Sequence, residues 1–454
     1  MSKMFNSKTF ALLGINYIIG FGFVATISDI TTYGYYGILI IFLVSLMALG
    51  VALVFSRLLN EYPNELGSSF SYATKVKNKP FAFFVGWNQY IQGPLYAGSG
   101  TLFLTQAARV FTENETYINI VRVVSITIFI LLIFSASLGL KVSKKMIFVN
   151  IFIKWAVLII GFVGLIILAC KEQLLLENFN TAAGKSVDTY LILTNVLYFM
   201  FAFGGIETIP TLSKDVKTKN FKKVMMVIFL FVFTFYIIGY LLIGSTNLIE
   251  NSSNAFLYLY RISFGVFGQV LFAIYIITYN IASTLTSTIG YSRALASLSQ
   301  AGYLPSAFGV EKKGEYKNAI WFNFALTVVS LVLFSLLPLI IQNDQIQYFQ
   351  KVISIGTIAF LVQYLGTFIT ALILAYRKQI KAIPWYEQFL YYYSIILILV
   401  VLLANFIPPI VGQKFMVENA IILIAFVMSN LLGISIYWAN WKLKQRAKKN
   451  SSLS

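Results

Sequence analysis

The chain has 454 residues, 59% of them hydrophobic and only 11% charged, and its mean hydropathy is +0.80. A soluble domain carries roughly 25% charged residues, so a single aqueous core is excluded and lipid must serve as solvent. The formal charge of +18 would suit a nucleic-acid partner in a soluble chain; in a membrane chain it belongs to the loops of one face, and no nucleic-acid partner is expected.

The apolar runs are continuous rather than alternating, which indicates membrane helices and not a barrel. About twelve runs reach the ~20 residues needed to cross a bilayer: roughly 9–33, 36–56, 81–108, 119–140, 146–169, 190–213, 223–247, 264–298, 319–341, 352–376, 386–411 and 419–440. The first begins near Thr9, is too long for a secretory leader and lacks a small-residue cleavage pattern. It reads GINYIIGFGFVATISD from Gly14 to Asp29, with Gly20 and Gly22 at its middle and Asp29 placed either to attract a cationic substrate or, as the preferred reading, to cap its outer end. The third run carries Gln92 and Pro94, and the fifth carries Lys154 about 13 Å along a helix from the basic loop ending at Lys145. Cys170, the single cysteine, follows as a small residue at a helix end. The sixth run contains FAFGGIET, Phe201 to Thr208, two glycines and a carboxylate inside an apolar stretch. The eighth holds the hydroxyls Ser283, Thr284 and Ser287, and the tenth holds Tyr364. A Ser-rich tail, 441–454, is expected to be cytoplasmic, with disorder after Lys448.

Basic residues sort by loop. Of the 34 Lys and Arg, only Arg109, Arg122, Lys171, Lys185, Arg261, Lys351 and Lys414 fall on the side opposite the termini, and Lys154 falls within a span. This bias predicts an even number of crossings, both termini in the cytoplasm of a cell-membrane protein, and attraction to anionic lipid.

Each mid-span glycine weakens a helix by ~1 kcal/mol relative to alanine. Singly, such glycines serve close helix packing. As a pair in the first and sixth runs, the opening members of two sets of five, they point to broken helices around a midplane substrate site. The freed N–H groups and carbonyls would hold an anionic and a cationic group, as in an amino-acid zwitterion. The residues assigned to that site are Ile19, Gly20, Phe21, Gly22, Phe201, Ala202, Phe203, Gly204 and Gly205, with the third run near Gln92 and Pro94, and the eighth run, supplying the side-chain pocket. The expected breaks span 19–24 and 203–206.

Three stretches carry a family resemblance: NYIIGFGF (Asn16–Phe23), FAFGGIE (Phe201–Glu207) with the basic loop after it, and SRALASLSQAGYLP (Ser292–Pro305), joined by Gly86–Trp87. Together they resemble the amino acid–polyamine–organocation permeases over nearly the whole chain. The resemblance implies an all-α fold of about twelve crossings, with an inverted repeat of 9–169 and 190–376, two added helices in 386–440, and no separate soluble domain. It also implies a secondary transporter of amino acids by proton symport or exchange, or of polyamines and related organic cations. Phe201 matches the family's substrate-covering aromatic. Glu207 is either a structural carboxylate or a cytoplasmic gate against Tyr364. Lys154 either snorkels or fills a cation site facing Ser283 and Thr284, as a fifth-helix lysine does in some proton-coupled relatives. Phe21 stands where the family usually has a small residue, which leaves the substrate open.

The chain has no histidine, which removes imidazole relays and the commonest zinc and haem ligands. It has no GxxxxGK[ST] loop either, so no cofactor, metal or ATP coupling is expected. An intramembrane enzyme is the distant alternative, disfavoured because carboxylates, His and Cys do not gather near one interface.

Overall fold

A computed structural model describes residues 5–63, 65, 68–109, 114–136, 140–184, 186–210, 216–217, 220–248, 255–312, 315–341 and 345–451. The helices, in chain order, are α1 (Ser7–Ile18), α2 (Phe21–Thr31), α3 (Tyr35–Glu61), α4 (Ser69–Thr74), α5 (Lys79–Arg109), α6 (Glu115–Ala136), α7 (Leu140–Glu172), α8 (Leu175–Ala183), α9 (Thr189–Met200), α10 (Phe221–Gly244), α11 (Ala255–Gln300), α12 (Lys317–Ile341), α13 (Gln345–Tyr376), α14 (Trp385–Phe406) and α15 (Val417–Ser451). Two-residue strands, β1 (Phe5–Asn6) and β2 (Val216–Lys217), pair in parallel.

Among the described residues, nine helices are long and apolar enough to cross a membrane, ten when α1 and α2 count as one bent span. The protein is an all-α polytopic membrane protein. α9 is short because its span breaks. α5 is long enough to cross but carries Asn88, Gln89, Gln92, Ser99 and Thr101 as buried polar side chains. It can do so because α6, α11, α12 and α13 enclose it, so little of it needs to face lipid.

The loops gather on two faces. On one face, β1 meets β2, Glu387 is bridged by Arg57 at 2.6 Å and Lys222 at 2.7 Å, and Arg377 donates to Val76 O at 2.8 Å. On the other face Asn178 donates to Gly244 O at 2.9 Å and Gln413 to Asp188 at 2.6 Å.

Two expectations need correction. The expected disorder after Lys448 does not hold for the described residues: α15 runs on to Ser451, and 452–454 lie outside them. This helix is pinned where Asn440 and Lys444 donate to Gly302 O at 3.2 and 2.9 Å. Gly302 itself ends α11 at φ +86, with Gly302 N–H bonded to Ser299 O and Tyr303 N–H to Leu298 O. This Schellman turn explains the glycine of the AGYLP stretch. Asp29 does not cap α2 through its side chain; its carboxylate accepts from Tyr198 at 3.1 Å and from Gln350 at 3.4 Å, joining α2 to α9 and α13.

Candidate functional site

α1 stops at Ile18, Ile19 turns extended, and α2 starts at Phe21 with a bend of 52°. The break is therefore Ile19–Gly20, shorter than expected, and Phe21–Val24 are already helical. In the sixth run the α-helix ends at Met200, a 3₁₀ turn covers Phe201–Phe203, and turns follow over 204–208 with Gly205 at φ +110. Unwinding starts earlier here than expected, and residues 211–215 lie outside the described ones.

The two broken segments run antiparallel in contact. Tyr198 reaches Ala25 O at 2.9 Å, and Gly205 lies against Tyr17. A Cβ on Gly22 would sit 2.9 Å from Phe201 O and 3.0 Å from Ala202 Cα, so only glycine lets the two backbones approach this closely.

Main-chain groups released by the breaks are met from several sides. Lys154 on α7, 1% exposed, donates to Asn16 O at 2.8 Å and Ile19 O at 2.7 Å. Its ammonium thus closes the C-terminal end of α1, where partial negative charge accumulates. The Tyr236 hydroxyl of α10 bonds Ala202 O and lies 3.4 Å from Ile18 O. Glu207, 5% exposed, accepts from Gly205 N–H at 3.0 Å, Thr208 Oγ1 at 3.3 Å and the Tyr364 hydroxyl at 2.8 Å. Gly20, the N-cap of α2, offers no side-chain cap, so the first N–H groups of α2 remain available to a ligand.

These elements surround a cavity of about 170 Å³. One water needs about 10–15 Å³ of such space, so a small metabolite fits. Phe21, Gly22, Phe201, Gly204, Gly205 and Glu207 line it. Phe21, Tyr96, Phe201 and Tyr279 form an aromatic collar, with Phe201 5.0 Å from Tyr96 and 6.0 Å from Phe21 between ring centroids.

The remaining expected residues stand elsewhere. Ile19 is buried with its carbonyl committed to Lys154. Gly20 packs under the Tyr279 ring, 2.1 Å from where a Cβ would be. Ala202 and Phe203 turn towards Tyr236. Gln92 bonds Gln363 at 2.8 Å and edges a separate pocket of about 10 Å³ beneath Glu207, while Pro94 lies buried within α5 and off the cavity wall. Their neighbours Gly93 and Tyr96 face the cavity instead. The side chains of Ser283 and Thr284 lie outside the described ones; Lys154 instead lies 5.5 Å from the Tyr279 and Trp155 rings.

The eighth run does line the cavity, but sequence reasoning did not name its Tyr279, Asn280 and Tyr291, and it missed Asn323 and Thr327 of the ninth run altogether. A signal existed: Asn280 and Asn323 are amides inside long apolar runs, where polar groups are expensive.

An all-helical membrane bundle with two antiparallel broken helices at a cavity lined by both aromatic and polar side chains has the architecture of a solute carrier. The family described as Amino acid permease matches residues 5–431. This chain belongs to that family, within the amino acid–polyamine–organocation superfamily. It is 29% identical to "Uncharacterized protein MG225" of Mycoplasma genitalium, over 100% of this chain and 98% of that protein. "Uncharacterized protein MG226" of the same organism is 28% identical over 98% and 97%, and the "MG226 homolog" of Mycoplasma pneumoniae is 26% identical over 96% and 94%.

Proposed function

We propose that this permease is a secondary active transporter that moves amino acids across the cell membrane by alternating access, coupled to proton symport or exchange. The carrying observation is the pair of breaks on one cavity. The uncapped N-terminus of α2 offers N–H groups to a carboxylate. The turn after Phe203 offers carbonyls to an ammonium, and Phe201 lies beside both. A polyamine carrier would need an uncommitted carboxylate; Glu207, the acid lining the cavity, is already held by three donors.

Twelve crossings follow when α5 and α9 join the ten counted on composition, with both termini on the basic, cytoplasmic face. An inverted repeat of 9–169 and 190–376 is supported by helix pairing. Exchanging the first five crossings for the second five turns α5 on α13 into α11 on α7, α1 on α10 into α9 on α3, and α6 on α11 into α12 on α5. Glu207 and Tyr364 act as the inner gate. Lys154 couples the proton: charged, it ties α7 to the end of α1; neutral, it loosens that contact.

The test is uptake by the full chain in proteoliposomes, with labelled amino acids and polyamines, under imposed proton or sodium gradients and with unlabelled substrate inside. Accumulation of amino acids driven by protons or by counter-substrate is expected. Uptake of polyamines alone, or strict dependence on sodium, would overturn it.

A further inference from the structure

Away from the helix breaks, the far end of the cavity is built by α5, α6, α11 and α12. Phe129 and Ile133 of α6 make its wall aromatic and aliphatic. Polar side chains interrupt that wall, among them Asn280 on α11 and Asn323 and Thr327 on α12. Positions 323 and 327 are one helical turn apart and share a face.

One of the two amides keeps an oxygen that no group of the protein meets. Asn280 donates its Nδ2 to Ile276 O at 2.8 Å, which fixes the amide plane. Its Oδ1 is left beside Gly100, 2.9 Å from where a Cβ would stand, with the Phe129 ring tip 2.5 Å from the same point. Any side chain at position 100 would fill this corner. Asn323 is 2% exposed, and its Oδ1 has no hydrogen-bond partner. A buried polar atom left unpaired is destabilising and calls for an explanation. The cavity supplies one, because a ligand entering past the collar would reach it.

The chemistry of this end narrows the ligand. No Lys, Arg, Asp or Glu stands on it among the described lining residues; Glu207 is at the opposite end with its oxygens engaged. An ion pressed against two amides without a counter-charge would lose its hydration uncompensated. An aliphatic group would leave the Asn323 amide unpaired. A neutral group that both donates and accepts, as a carboxamide or hydroxyl does, matches an amide on both counts.

We propose that Asn280, Asn323 and Thr327 form a side-chain subsite selecting amino acids with an uncharged hydrogen-bonding side chain over aliphatic and charged ones. This rests on reading the breaks as the site of the α-amino and α-carboxyl groups.

Binding of labelled glutamine to the purified full chain, competed by asparagine, serine, threonine, glycine, leucine, lysine and glutamate, tests it. Glutamine, asparagine, serine and threonine should compete about ten-fold or more better than leucine, lysine or glutamate. Asn323→Leu should weaken glutamine by about ten-fold or more and leave leucine unchanged or tighter. Where that variant fails to fold, Thr327→Val keeps the volume and should shift the same ratio by roughly three-fold. Equal competition by leucine or lysine, an equal loss for every amino acid in Asn323→Leu, or an unshifted ratio in Thr327→Val overturns the subsite. Binding of glycine and all others without preference overturns the subsite alone; binding of no amino acid overturns the reading of the breaks as well.

Discussion

The break at Gly20 and the break at Gly205 open the same cavity by different means. After Ile19–Gly20 a regular helix resumes at once, and the loose carbonyls are taken by side chains from distant helices: Lys154 for Asn16 and Ile19, with Tyr236 close to Ile18. After Met200 the chain tightens into a 3₁₀ turn and then turns on itself, and its donors are met mostly from within. Gly204 N–H bonds Phe201 O, Thr208 N–H bonds Gly205 O, and Gly205 N–H bonds the Glu207 carboxylate. A break held from outside answers to the helices that hold it. A break held from within keeps its shape while they move. The contrast makes the first break the place where α7 can influence binding, and the second the more self-contained half of the site.

The largest effect is expected where the two breaks touch. Gly22→Leu would drive a side chain into the backbone at Phe201 and Ala202, and neither can step aside without parting the broken segments. Uptake and binding should vanish while the purified protein stays monodisperse after membrane extraction. Retained binding would show that the close approach is not needed for the site.

Next comes the outside support. Lys154→Ala leaves two buried carbonyls without their donor, at about 1–3 kcal/mol in thermal stability. Accumulation driven by a proton gradient should be lost while exchange survives. Lys154→Arg, which keeps its charge at accessible pH, should hold the contact and slow both modes. Unchanged accumulation in Lys154→Ala would remove α7 from the mechanism and leave the lysine a structural cap.

The inside support predicts an asymmetry between adjacent glycines. Gly205 needs φ +110, whereas Gly204 sits at φ −56, which any residue adopts. Gly205→Ala should therefore lower stability by about 1–3 kcal/mol and cut uptake several-fold. Gly204→Ala, whose Cβ would come 3.1 Å from Phe201 O, should do clearly less in the same melting and uptake assays. Equal losses would mean that crowding, not backbone conformation, sets this turn.

The smallest effect is expected at the proposed gate. Tyr364→Phe removes one of the donors to Glu207 and leaves Gly205 N–H and Thr208 in place. A change of a few-fold in exchange rate, with unaltered substrate affinity, is the expected readout from paired flux and binding measurements. A large loss of affinity would move Tyr364 from the gate into the binding site.

The helical membrane class and the positions of both weak points were legible in the chain, because each is a local property. Lipid-length apolar runs, charge kept out of them, and glycines that disfavour helix are all written along the sequence within a window of some twenty residues. Lys154 was conspicuous for the same reason, as a charge inside such a run. Its acceptors in the fold are Asn16 O and Ile19 O. Tertiary structure decided what periodicity and composition cannot carry: which side of each break faces the cavity, and which distant residues complete it. Ile19 and Phe21 are two residues apart, yet one is spent on Lys154 and the other forms the collar, because a bend of 52° turns them to different neighbours. Asn280 and Asn323 meet the cavity of the first and sixth runs only through the packing of α11 and α12 around α5. A side chain's membership of a site depends on the rotation of its helix against others, and that is fixed by non-local contacts.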